Sequence, residues 1–167
     1  MGPSTGIPKP SAPLTVEQLA RRPDLLPTVA RWIYEEWWEG TEGASLGTLT
    51  DLLRPHLMPG QIPMTLVALL GPRPVGTATL LAHDVGTEQW PDLSPWMAAV
   101  YVVPERRREG IGTRLVNEVV VEARGLGTEV LYLLTTERED LYARLGWQVF
   151  DRTVESVVMS QGVAAPH

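Results

Sequence analysis

Cysteine is absent from the 167-residue chain. Disulfides, thiolate metal sites and a cysteine nucleophile are thereby excluded. Histidine is scarce: His56, His83 and His167 are all there is, so a histidine-built metal site is not expected. No apolar run reaches the length of a membrane span, and no charged n-region followed by an apolar h-region marks export. The expectation is therefore a cytoplasmic protein with no membrane partner and no metal. Basic residues are in deficit, 14 Lys and Arg against 20 Asp and Glu, for a formal net charge of −6. Such a chain gains nothing from a polyanion at large, which disfavours nucleic acid as a partner.

Against that acidic background, Arg106, Arg107 and Arg108 are a local exception. They sit in the run Val100-Tyr-Val-Val-Pro-Glu-Arg-Arg-Arg-Glu-Gly-Ile-Gly-Thr-Arg-Leu-Val116. This run predicts a β-branched strand, a short loop and the first turn of a helix. A helix start carries backbone N–H groups with no internal partner and the positive end of the helix dipole. Gly110 and Gly112 have no side chain to block approach, so a pyrophosphate suits the place. An ordinary strand-to-helix turn with solvated arginines would also account for a lone Gly-x-Gly. The order strand, Pro104, Arg107-x-x-Gly110-x-Gly112, amphipathic helix is more specific. A nucleoside triphosphate loop is excluded because no Gly-Lys-Ser/Thr follows. The dinucleotide fingerprint lacks its third glycine, since Leu115 stands there.

With 44% hydrophobic residues, the chain is ordinary for one soluble domain with a sizeable core. Residues 1–13, rich in proline, are expected to be a disordered lead-in, 14–160 the domain and 161–167 a flexible tail. Within the domain a short strand over 14–19 precedes a helix from Asp24 whose apolar stripe includes Ile33 and Trp37. Ser45 caps a second helix that Pro55 closes. Residues 65–70 and 75–82 form a hairpin around Gly71-Pro-Arg-Pro74. A polar loop over 83–95 leads to the strand 96–103. After the glycine loop come a helix burying Leu115, Val116, Val119, Val120 and Ala123, a strand over 130–134, a short helix over 139–145 and two strands over 147–150 and 154–159. The order predicts an α/β domain with a mixed sheet and one parallel crossover.

The segment from Pro104 to Gly112 resembles the acyl-CoA motif of the GNAT superfamily of N-acyltransferases. Leu141-Tyr-Ala-Arg-Leu-Gly-Trp147 resembles the other hallmark of that family, in the family's order. The resemblance spans roughly residues 65–159. It implies a single GNAT-like domain whose two parallel strands splay apart, and acetyl-CoA as acyl donor. It places the pantetheine arm on the amides of Val102 and Val103, with Val100 near the acetyl carbonyl. Pyrophosphate would rest on the N–H groups of Arg107, Arg108, Glu109, Gly110, Ile111, Gly112 and Thr113. Tyr142 matches the tyrosine that protonates the leaving thiolate, whereas Gly146 and Trp147 match structural positions. Arg21-Arg-Pro-Asp-Leu-Leu-Pro27 with the helix after it also resembles the opening of actin N-terminal acetyltransferases and related bacterial proteins, which favours an amine or peptide acceptor.

An ammonium acceptor must lose a proton before it attacks a thioester. Glu35, Glu36, His83, Asp84 and Asp92 are candidate bases. His83 and Asp92 rank first because their loop precedes the strand expected to hold the acetyl group. Stripe position puts Trp37 in the core. Trp90, in a polar loop, and Trp96 are candidate walls for the acceptor, with Glu36. The reading is an N-acetyltransferase acting by direct attack of a primary amine on acetyl-CoA, as monomer or homodimer, with a small amine or peptide as substrate. A longer acyl donor, a non-catalytic acyl-CoA sensor or interaction module, and a charged-tRNA acceptor are the alternatives. An intact Tyr142 favours catalysis, and the acidic balance disfavours RNA.

Overall fold

The computed structural model describes residues 12–164. The expected lead-in, apart from its last two residues, lies outside the described residues. Seven strands make one mixed sheet: β1 (Leu14–Gln18), β2 (Met64–Leu70), β3 (Arg73–Leu81), β4 (Trp96–Val102), β5 (Val130–Thr135), β6 (Gln148–Arg152) and β7 (Val157–Gly162). Their order across the sheet is β1-β2-β3-β4-β5-β7-β6. Every neighbouring pair is antiparallel except β4–β5. The helices are α1 (Leu26–Ile33), α2 (Leu46–Leu53), α3 (Ile111–Gly125) and α4 (Glu139–Arg144). No helix among the described residues is long and apolar enough to cross a membrane.

Both faces of the sheet are covered, which explains why β2 reads as a continuous apolar run. Side chains alternate along a strand. Leu66 and Ala68 point into one core with Leu115, Val116, Val119 and Ala123 of α3. Val67 and Leu69 point into a second core with Leu26, Val29 and Ala30 of α1 and Leu49 and Leu53 of α2. The helix α3 lies close on β3 because Gly76 has no side chain. A Cβ there would fall 2.8 Å from the Tyr101 carbonyl oxygen and 3.0 Å from Leu115 Cδ1. Ser45 caps α2 as its sequence implies, its Oγ accepting the Thr48 N–H at 3.0 Å, a contact worth about 1 kcal/mol.

Three local features depart from the sequence reading. The helix begun by α1 continues as a π-helical turn, Tyr34–Trp38, closed by the Glu39 N–H on the Tyr34 carbonyl at 2.8 Å. The wider turn rotates Trp37 off the buried stripe, and it is 47% exposed rather than core. The hairpin is tighter than expected, Arg73 and Pro74 already being part of β3. At the other end, β7 runs to Gly162 and Val163 is fully buried, so the first residues of the expected tail belong to the fold.

Candidate active site

The parallel pair β4–β5 is joined only at Trp96↔Tyr132 and Met97↔Leu133. Beyond Met97 the two strands part. A β-bulge starts at the same place. Opposite Ala78 of β3 stand both Ala99 and Val100, and Ala99 has φ +53°. A bulge adds a residue and bends its strand, here away from β5. After it, Val103 donates its N–H to the Val75 carbonyl at 2.9 Å. The pleat then turns the N–H groups of Val102 and Val100 to the open side. Val102 also offers its carbonyl there, and Arg107 Nε donates to it at 2.9 Å. The amide of Val103, expected to pair with a ligand, is thus committed to β3, while those of Val100 and Val102 stay on the open side.

The loop after β4 ends at Gly110, the N-cap of α3, with φ +81°. Gly110 has no side chain with which to cap this helix. The first amide with a helical acceptor is that of Arg114, bonded to the Gly110 carbonyl at 3.0 Å. Ile111, Gly112 and Thr113 precede it with their N–H groups unpaired inside the helix. At Gly112 a Cβ would meet only Val102 Cγ2 at 3.7 Å, so packing leaves room there.

A cavity of about 1160 Å³ fills the gap between the strands. A single small-molecule site is typically about 300–1,000 Å³, so this one has space for two reactants. Its walls draw on both cores, and the cavity therefore passes through the sheet. On the α3 side lie Gly110, Ile111, Gly112, Thr113, Val116 and Tyr142, with Arg107 and Arg108 beside them. On the α1–α2 side lie Ile33, Glu36, Trp37, Trp38, Leu49 and Leu53. Glu109 is not on the wall; it pairs with Arg106 on the surface at 3.6 Å.

Tyr142 is 7% exposed and packs edge-on to Trp147. Burial raises its phenol above the usual value, with Arg138 opposing in part. The phenol is therefore fully protonated at neutral pH and available as a donor. Tyr101 lies across the cavity wall, stacked with Trp32 at 5.5 Å and below the Arg107 guanidinium at 5.7 Å. Burial raises it too, and Glu36 and Glu35 push the same way against Arg107.

Of the expected acceptor residues, His83, Asp84 and Glu36 border the cavity, whereas Glu35, Trp90, Asp92 and Trp96 do not. Trp96 is fully buried, its indole N–H donating to the Leu93 carbonyl at 2.8 Å. Trp90 rests on Trp96 and donates its indole N–H to Asp151 of β6 at 2.8 Å. That bond holds the Asp151 carboxyl below its usual range. Asp92 is exposed and outside the cavity wall. The loop leaves the cavity after Val85 and crosses to β6 instead of bending over the acceptor side. Its carboxylate at the cavity is Asp84, whose pKa burial raises.

A buried histidine completes the wall. His56 lies in a 3-10 turn after α2, Arg54–Leu57, and is 5% exposed. Its Nδ1 bonds the Thr65 hydroxyl at 2.8 Å, and Thr65 meets the Thr79 hydroxyl at 3.1 Å. Burial lowers the imidazole to about 4. His56 and Thr79 both line the cavity, Thr79 directly opposite Ala98 where β4 begins to leave β5. No local pattern marks this histidine as part of a site. The available signal is a histidine enclosed by Leu53 and Leu57 with threonines at inward positions of two neighbouring strands.

A family model for the GNAT acetyltransferase domain matches residues 63–149, more than half of the chain. No protein of curated function matches in sequence. Among solved structures, a GCN5-related N-acetyltransferase from Ralstonia eutropha is 26% identical over 84% of this chain and 96% of its own, with a TM-score of 0.62. An aminoglycoside 6'-N-acetyltransferase complexed with coenzyme A is 16% identical, covers 92% and 99%, and has a TM-score of 0.69. The yncA protein of Salmonella typhimurium, solved with acetyl-CoA, is 15% identical over 92% and 98%, with a TM-score of 0.67.

Proposed function

The chain belongs to the GNAT family of acetyltransferases, and on that premise we propose that it moves an acetyl group from acetyl-CoA to a primary amine by direct attack. The observation that carries this reading is the slot through the sheet, with unpaired helix-start amides on one side and a buried, protonated phenol beside it. The residues fit the donor. Ile111, Gly112 and Thr113 would take the pyrophosphate on their N–H groups, with Arg107 and Arg108 supplying positive charge. Val100 and Val102 would pair the pantetheine arm along the open edge of β4, as a strand would. Acetyl-CoA itself supplies a thioester, an acyl group already activated toward nitrogen.

The remaining chemistry belongs to the wall. As the C–N bond forms and the C–S bond breaks, one proton must leave nitrogen and one must reach sulfur. Tyr142 gives its phenolic proton to the sulfur and is reprotonated from solvent. The amine proton passes to a group of the acceptor arm, where His83, Asp84, Glu36 and the neutral His56 stand. Without cysteine in the chain, no acyl-thioester enzyme intermediate is available, which agrees with direct transfer.

Gly112→Asp tests the donor site. The 3.7 Å clearance lets the fold accept the new Cβ, while the carboxylate repels an anion at the amides. The expected result is a folded protein that no longer binds acetyl-CoA in calorimetry. Wild-type affinity in the folded variant refutes the assignment.

A further inference from the structure

The acceptor arm has a composition that selects among amines. Its wall from α1 to α2 is apolar: Ile33, Trp37, Trp38, Leu49, Leu52 and Leu53 all border the cavity. Two of these are unusually open for their size, Trp37 at 47% and Leu52 at 55% exposure. Exposed large apolar groups gathered on one concave wall mark a binding surface. The π-helical turn places Trp37 there, where Tyr101 holds its ring at 6.4 Å, edge to face. The Glu36 carboxylate borders the cavity on this side, and Arg106, Arg107 and Arg108 border it from the loop before α3, Arg107 lying over the Tyr101 ring that Trp37 also meets. The floor is polar, and His83 and Asp84 also border the cavity. Thr79 and His56 reach the cavity there, and the hydroxyl of Thr65 ties them together.

From this wall we infer that the acceptor is a single primary amine carried on an apolar, aromatic-sized body. This rests on the acetyltransferase reading and narrows it. Trp37 and Leu52 cover the body, whose burial repays lost water contact in proportion to apolar area. Glu36 attracts the ammonium at the entrance. At the floor a neutral imidazole and a hydroxyl accept hydrogen bonds from nitrogen without repelling it. A polyhydroxylated or polycationic acceptor would instead lay part of its polar groups on tryptophan and leucine, beyond the carboxylates of Glu36 and Asp84, where they find no partner.

The test separates donor from acceptor. Calorimetry with acetyl-CoA comes first, and failure to bind refutes the acetyltransferase reading itself. With binding established, thiol release at saturating acetyl-CoA is followed for 2-phenylethylamine, spermidine and kanamycin. The expected kcat/KM for 2-phenylethylamine exceeds both others at least tenfold, within the about 10–200-fold that a few apolar contacts discriminate. Leu52→Glu and Trp37→Ala should each raise its KM about tenfold and leave the acetyl-CoA Kd unchanged, because both side chains belong to α2 and the turn after α1 and not to the helix start of α3. A smaller preference, a preference for spermidine or kanamycin, or a 2-phenylethylamine KM unmoved in both variants overturns the substrate class while donor binding stands.

Discussion

His56 offers a measurement on the folded protein that needs no substrate. In the unfolded chain its imidazole titrates near 6.5, and in the fold burial lowers it to about 4. Above pH 6.5 both states hold it neutral, and its contribution to stability is constant. As pH falls below 6.5 the unfolded chain takes up a proton that the native state refuses, so stability declines until the native imidazole also titrates near 4. At about 1.4 kcal/mol per pH unit, that span is worth about 3 kcal/mol. In a domain of this size each kcal/mol moves Tm by about 2–4 °C, so the loss amounts to about 6–12 °C. Carboxylates also titrate in this window, and a variant removes them from the comparison. His56→Gln keeps a polar side chain for Thr65 and has no proton to gain. Urea unfolding at pH 7, 6, 5 and 4 gives the difference in stability between wild type and His56→Gln. That difference should shrink by about 3 kcal/mol toward acid. A difference that stays flat from pH 7 to 4 refutes the claim that His56 is held neutral by burial, and with it the neutral imidazole at the floor of the acceptor arm.

Two further outcomes are expected. Tyr142→Phe keeps the buried ring against Trp147 but removes the donor, so turnover should fall about 10²–10⁴-fold with acetyl-CoA affinity nearly unchanged; turnover within twofold of wild type, with chemistry rate-limiting, assigns the proton to another group. Gly76→Ala should lower stability by about 1–3 kcal/mol, because its methyl would press on the Tyr101 carbonyl at 2.8 Å; an unchanged urea midpoint would mean that α3 and β4 yield there freely.

The donor side of the site was legible because its chemistry is local in the chain. A strand, Pro104, the arginines, Gly110 and Gly112 follow one another, and the amides they present are a property of one loop and one helix start. Tyr142 likewise sits in a short motif. The acceptor side depends on which face each residue meets, and that is set by partners far away. Trp96 lies on the strand that carries the site, yet its register opposite Tyr132 buries it. Trp90 has an indole N–H that finds Asp151, a residue of β6 at the edge of the sheet and remote in the chain. Trp37 falls on the apolar stripe by count, and the π turn shifts it one position round the helix. His56 joins the site through hydroxyls on β2 and β3, a row that exists only once those strands pair.

The two ladder pairs between β4 and β5 divide the sheet mechanically. On one side stand four strands and on the other three, with almost no backbone stitching across the seam. What spans it is a line of rings, Trp90 on Trp96, Trp96 on Tyr132 and Tyr132 on Phe150, at centroid distances of 6.4, 5.7 and 5.5 Å. The indole–carboxylate bond from Trp90 to Asp151 fastens the far end. The loop of residues 83–95 thereby acts as a cross-tie between the half-sheets at the closed end of the slot, where Trp96 and Tyr132 pair.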